Sequence, residues 1–171
     1  MTERFAWVDG LEVFALILAR DAQHEELAQV MTSDTNERLP TVDSWPPNPA
    51  ASKFVTGEQY GWAFALSDHL PDDALGRVAR RWDVASMWFD IHANSEFRLY
   101  RAGELVRRCS VIGYSFEPSD GDPLPEEQGL FVDNAEWDQR SDGLELVARV
   151  TGTEPAETWL TAPPAAWQAK F

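Results

Sequence analysis

The stretch WDVASMWFDIHANSEFRLYRAGELVRRCSVI, residues 82–112, carries the reading of the fold. Side chains in a strand alternate between faces, so a period of two separates an apolar row from a polar one. From about Ser86 to Asn94, Met87, Phe89, Ile91 and Ala93 alternate with Trp88, Asp90, His92 and Asn94, which predicts a strand with its apolar row in a core. Asn94-Ser95 reads as a short turn. Phe97 and Leu99 then alternate with Arg98 and Tyr100 in a second strand. Ala102-Gly103 supplies a tight turn, because glycine takes positive φ at no steric cost. Leu105 to Ile112 returns as a third strand and completes an antiparallel meander. A meander with one greasy face is stable only when something covers it, most simply helices.

Upstream, the run from Leu11 to Ala19 fits a strand buried on both faces. A helix follows, with Asp21 as its cap, Glu25 and Glu26 in its first turns, and Leu27, Val30 and Met31 on its inward side. Residues 32–58 hold Pro40, Pro46, Pro47 and Pro49 and read as a long Pro-rich loop pinned by Trp45 and Phe54. Tyr60 to Asp68 is a further strand. Pro71 then opens a second helix with Asp72 and Asp73 behind it and Arg77, Arg80 and Arg81 in its last turn. Downstream, a helix is expected from about Ser141 to Thr151 and a short one within 155–160, before a tail that starts at Pro163-Pro164. The expectation is a single α+β domain over residues 1–171: a mainly antiparallel sheet of about five strands, with helices packed chiefly on one face.

Net charge is −15 and the pI is near 4.4. That excludes the basic footprint of nonspecific nucleic-acid or anionic-membrane binding and allows a basic protein partner. The sequence shows no signal-peptide pattern and no apolar run near the ~20 residues that span a bilayer, so a cytoplasmic location is expected. Cys109, the one cysteine, has no internal disulfide partner and reads as a buried small hydrophobe. Eight tryptophans spread from Trp7 to Trp167 read as packing residues.

Three sets of residues have functional potential. Asp90, His92 and Asn94 on one strand, with Asp68 and His69 at the end of another, combine imidazoles and carboxylates that suit acid–base or ligand chemistry if the two strands are neighbours. Arg98 belongs to the second set, the arginines of 77–108, a window netting +3 while the rest of the chain nets −18. Such arginine forks grip phosphate or carboxylate ligands, or pair internally with acids. The third set is the segment 117–145, where ten carboxylates face one base, Arg140, and where Asp133, Glu136 and Asp138 are the expected contacts for a partner. His24, in an acidic helix, is expected to be solvent-exposed. No catalytic set, no metal site and no cofactor is expected, since the histidines lack partners at ligand spacing on one element and no phosphate-binding, dinucleotide, C-x-x-C or nucleophile-elbow motif is present.

The order of elements offers a further comparison: strand Phe14-Ala15-Leu16-Ile17, acidic helix, strand Gly61-Trp62-Ala63-Phe64-Ala65-Leu66, then the Met87–Asn94 strand, Phe97-Arg98 and a Gly103-Glu104-Leu105-Val106 return. Over about residues 11–160 it resembles an actinobacterial domain family of unknown function. Members of that family carry a Gly-Trp strand, an aromatic-Asn-Val-Asn-like strand and a Gly-Glu-Leu-Val hairpin. Asp90 and His92 stand where other members often have asparagines, so the resemblance implies no shared catalytic role for them. In size and acidity the chain is also similar to bacterial immunity proteins. The sequence therefore points to a non-enzymatic binding protein, immunity-like or regulatory, with an acidic surface for a basic partner. The competing expectation is a small enzyme or anionic-ligand-binding domain that uses the Asp90/His92 face or the arginine cluster.

Overall fold

The computed structural model describes residues 3–32, 36–39, 52–68, 72–113, 115–131, 139–161 and 165–169. In chain order these form β1 (Phe14–Arg20), α1 (His24–Thr32), β2 (Asn36–Leu39), β3 (Ser52–Gln59), β4 (Trp62–Ser67), α2 (Asp72–Ala79), β5 (Val84–Phe89), β6 (Ser95–Arg101), β7 (Glu104–Ile112), β8 (Ser115–Asp120), α3 (Gln139–Thr151), α4 (Thr158–Thr161) and β9 (Ala165–Ala169), after 3-10 turns over Glu3–Gly10. The fold is α+β. One antiparallel sheet runs β2-β9-β3-β4-β1-β5-β6-β7-β8.

β1 holds the middle because its alternate residues supply two cores. Phe14, Leu16 and Leu18 face one core, where β4 adds Phe64 and Leu66, the meander adds Met87, Phe89, Phe97 and Leu99, and the cover comes from Leu144, Val147, Trp159 and Phe5. Ile17 and Ala19 face the other, with Ala63 and Ala65 of β4, Leu27, Ala28 and Met31 of α1, and Leu75 and Val78 of α2. α1 and α2 thus cover one face, and α3 and α4 the other. This corrects the expectation of helices chiefly on one face. A strand apolar at every position needs cover on both sides.

Among the described residues the sheet has nine strands where about five were expected. The predicted loop at 32–58 contains β2 and β3, and β3 is an interior strand whose Phe54, Val55 and Thr56 are all buried. Pro40, Pro46, Pro47 and Pro49 fall at 40–51, outside the described residues. The predicted tail contains β9, which pairs with both β2 and β3. β8 forms the far edge and holds Pro118, an imino acid that edge strands tolerate because one side of the ladder is unpaired. The two-residue turns Tyr60-Gly61 and Ala102-Gly103 both have positive φ at each residue, the pattern whose twist matches antiparallel strands.

Candidate functional site

The first sequence candidate, the Asp90/His92/Asn94 face, is a turn. β5 stops at Phe89, and Asp90 folds the chain back onto itself. Asp90 Oδ1 accepts from the backbone N–H groups of His92 (2.8 Å) and Asn94 (3.0 Å), and Oδ2 accepts from Asn94 Nδ2 (3.0 Å). Ala93 takes φ +61°, and Ile91, expected in the core, is 58% exposed. Alternation failed here because a short side-chain acceptor can close a loop that a strand pattern imitates. Partial burial works against the charged form of Asp90, yet the hydrogen bonds from Asn94 and His92 outweigh it and hold the carboxyl below its ordinary range. His92 is exposed. Asn94 Oδ1 accepts from Gly113 N and ties this turn to the one after β7.

Asp68 ends β4 at the same end of the sheet, half-buried and accepting a long 3.4 Å bond from Ser67 Oγ. Ala15 of β1 pairs with both Ser67 and Trp88, so β1 stands between the two strand ends. Two strand spacings separate them by roughly 9–10 Å. Both Asp90 oxygens accept hydrogen bonds within its own turn. His69 lies outside the described residues, as do Asp133, Glu136 and Asp138.

The arginines serve the fold. Arg98 is ion-paired to Glu96 and Asp72, and Arg108 to Asp120. Glu96 is buried on β6 and also accepts from Trp88 Nε1 and Ser110 Oγ. Arg107, only 2% exposed, grips Glu127 with both Nε (2.7 Å) and Nη2 (2.9 Å) and donates to the carbonyls of Asp120 and Gly121. Burial opposes the charge on Glu127, but Arg107 and the Leu124 N–H more than offset it, so its carboxyl sits below the ordinary range. Arg77 of α2 donates to the Val30 and Met31 carbonyls at the end of α1, where a cation complements the helix dipole. Arg140 binds the carbonyls of Leu11 and Asp90, and Arg149 those of Glu126 and Gln128. Arginine suits this work because its planar fork donates several bonds at once. Arg80, Arg81 and Arg101 are exposed instead.

Among the described acids of the 117–145 segment, several have partners within the chain. Glu127 and Asp120 are ion-paired, Asp142 accepts from Phe131 N, and Glu145 meets Arg4 and Arg149. Glu117 and Asp122 are exposed.

A group that sequence reading missed lies at the other end of the sheet, where β1 passes into α1. The first N–H of α1, on His24, donates to Glu58 Oε1 at 3.0 Å, so the cap comes from β3 and not from Asp21. His24 is no exposed helix residue: its side chain is 15% exposed, with Nδ1 3.1 Å from Thr56 Oγ1 and Nε2 3.2 Å from Glu25 Oε2. Thr56 is fully buried and also accepts from Trp167 Nε1 at 2.8 Å. His24, Glu25 and Glu58 bring one nitrogen and two carboxylate oxygens within 4.8 Å of one another. Beside them a cleft of ≈ 340 Å³ is lined by Asp21, Ala22, Glu58, Tyr60 and Trp62 among others. Asp21 N donates to Gly61 O at 2.8 Å, which fixes the β1–α1 junction against the β3–β4 turn. No sequence spacing signals this group, because Glu58 is 34 residues from His24 in a region that reads as loop.

No helix among the described residues is long and apolar enough to cross a membrane. Comparison with protein-family models, with curated proteins and with solved structures found no match.

Proposed function

We propose that this chain is a non-enzymatic binding protein of the actinobacterial family it resembles, an immunity-like or regulatory module that offers acidic surface to a basic protein partner. The observation that carries the reading is where the arginines go. Arg4, Arg77, Arg98, Arg107, Arg108, Arg140 and Arg149 are engaged by internal carboxylates, carbonyls or ring faces. With net charge −15, carboxylates outnumber the bases that could pair with them, and Asp133, Glu136 and Asp138 belong to the acidic stretch 117–145 of the sequence. A field of that sign steers a basic partner and raises its association rate. The test is affinity capture from the native host at low salt, with the wild type and with Asp133→Asn/Glu136→Gln/Asp138→Asn. The expected result is a basic protein recovered by the wild type and lost from the variant. Recovery of the same protein by both, or of acidic proteins only, overturns the reading.

One observation favours the anionic-ligand alternative, within the arginine cluster of 77–108. Arg80, Arg81 and Arg101 are exposed. The end of α2 abuts the β6–β7 turn, where a Cβ on Gly103 would lie 3.7 Å from Ala79 O and 4.0 Å from Arg80 Cα. Specific, saturable binding of a phosphorylated or carboxylate ligand that is lost in Arg80→Ala/Arg101→Ala would place the function there.

A further inference from the structure

We propose that His24, Glu25 and Glu58 form a binding site for one divalent transition-metal ion, with Zn²⁺ the best matched. A tetrahedral ion with bonds of about 2.0 Å holds its ligand atoms about 3.3 Å apart. His24 Nε2 and Glu25 Oε2 stand 3.2 Å apart, already at that spacing. Each of the three residues offers a ligand atom within 4.8 Å of the others, so a small side-chain adjustment of Glu58, on the order of 1–2 Å, closes it on the ion.

The imidazole is held from behind. Nδ1 lies 3.1 Å from Thr56 Oγ1, which fixes the ring with Nε2 toward Glu25; with an ion bound, Nδ1–H would donate to Oγ1 and leave the Nε2 lone pair for the metal. Thr56 is in turn fixed by Trp167 Nε1–H, contributed by β9. A partner on the distal ring nitrogen that sets tautomer and orientation is the usual support of a metal-binding histidine. Here α1 supplies two ligands, β3 supplies the third together with the supporting threonine, and Glu58 Oε1 fixes the two elements to each other through His24 N.

Charge also favours the ion. The N-terminus of α1 carries roughly half a positive charge, but two full carboxylates face it. The donor set selects among cations: calcium takes six to eight oxygens, whereas one imidazole with two carboxylates suits zinc. Glu58 also lines the ≈ 340 Å³ cleft, so its carboxylate side of the group stands open to solvent.

The experiment uses the untagged full chain, stripped with a chelator and dialysed, then titrated calorimetrically with Zn²⁺ and separately with Mg²⁺. The expected result is one Zn²⁺ per chain, no Mg²⁺ heat, and at least tenfold weaker Zn²⁺ binding in His24→Gln and in Glu25→Gln. Glu25 has its side chain 45% exposed, so Glu25→Gln carries the test if His24→Gln fails to fold; its circular dichroism and melting temperature should match the wild type. A flat Zn²⁺ titration reduces the group to a helix-capping cluster and overturns the proposal. Stoichiometric binding that survives Glu25→Gln unchanged assigns the ion to other residues and overturns it equally.

Discussion

Phe89 stacks on Phe14 with ring centroids 5.0 Å apart and lies under the Arg140 guanidinium at 4.6 Å, while Ile91 two positions on is in solvent. Phe89→Ala should therefore cost about 3–5 kcal/mol through the cavity it leaves. Ile91→Ala should stay within about 0.5 kcal/mol. Urea denaturation of the two variants checks both, and equal losses would mean that the strand does not end where the turn begins. Arg107 and Glu127 make the sharper case. Glu127→Gln leaves the buried guanidinium without its charge partner and should cost about 3–5 kcal/mol at neutral pH. The pH dependence has a definite sign. The native carboxyl of Glu127 titrates below its unfolded value of about 4.3, so its contribution is complete above that pH and is lost as pH falls through the depressed native value. Unfolding measured at about pH 6 and about pH 3 should show a smaller acid-induced loss in Glu127→Gln than in the wild type. Cys109 is buried beside this pair, and desolvation pushes its thiol up to about 12, so a thiol reagent should label it only after unfolding.

Two glycines show how close the elements stand. Gly121, at φ +79°, closes the end of β8, and a Cβ there would overlap the Val106 carbonyl. Gly121→Ala should cost at least about 1–3 kcal/mol, since backbone on both sides must move. Gly143 lies inside α3, where alanine would gain about 1 kcal/mol of helix propensity, but a Cβ would overlap the buried end of Met87 on β5. Gly143→Ala should therefore destabilise the wild type and stabilise a Met87→Ala background; a double-mutant cycle showing no coupling would contradict that packing. The same elements show what sequence discloses. β1, β4 and the meander were legible because buried strands write long apolar runs or strict alternation. β8 was hidden because an exposed edge strand containing Pro118 has no apolar period to display. β3 was hidden by its proline-rich approach, and β9 by following Pro163-Pro164, although each pairs on both sides. The His24 group was illegible for the same reason: Glu58 joins His24 and Glu25 only once β3 is recognised as a strand.

At the scale of the whole molecule, charge is partitioned. Arginines fasten loops and helix ends from within, while described carboxylates such as Asp9, Glu12, Glu26, Glu104, Glu117 and Asp122 are exposed. Composition made the carboxylate surplus legible, but not its layout, because which acid meets which arginine depends on a sheet whose edge strands the sequence conceals. Partner recognition through that surplus should be a rate effect and should fade with salt, since the Debye length falls from ~10 Å at 0.1 M to ~3 Å at 1 M. The most direct measurement is stopped-flow association between this protein and the basic partner captured from its host, in 0.1 M and 1 M salt, with the wild type and with Asp133→Asn/Glu136→Gln/Asp138→Asn. The prediction is a wild-type rate that drops about tenfold or more across that range, and a variant that is slower at low salt and equal at high salt. A low-salt rate unchanged by the three substitutions, in a variant that melts like the wild type, would contradict the account.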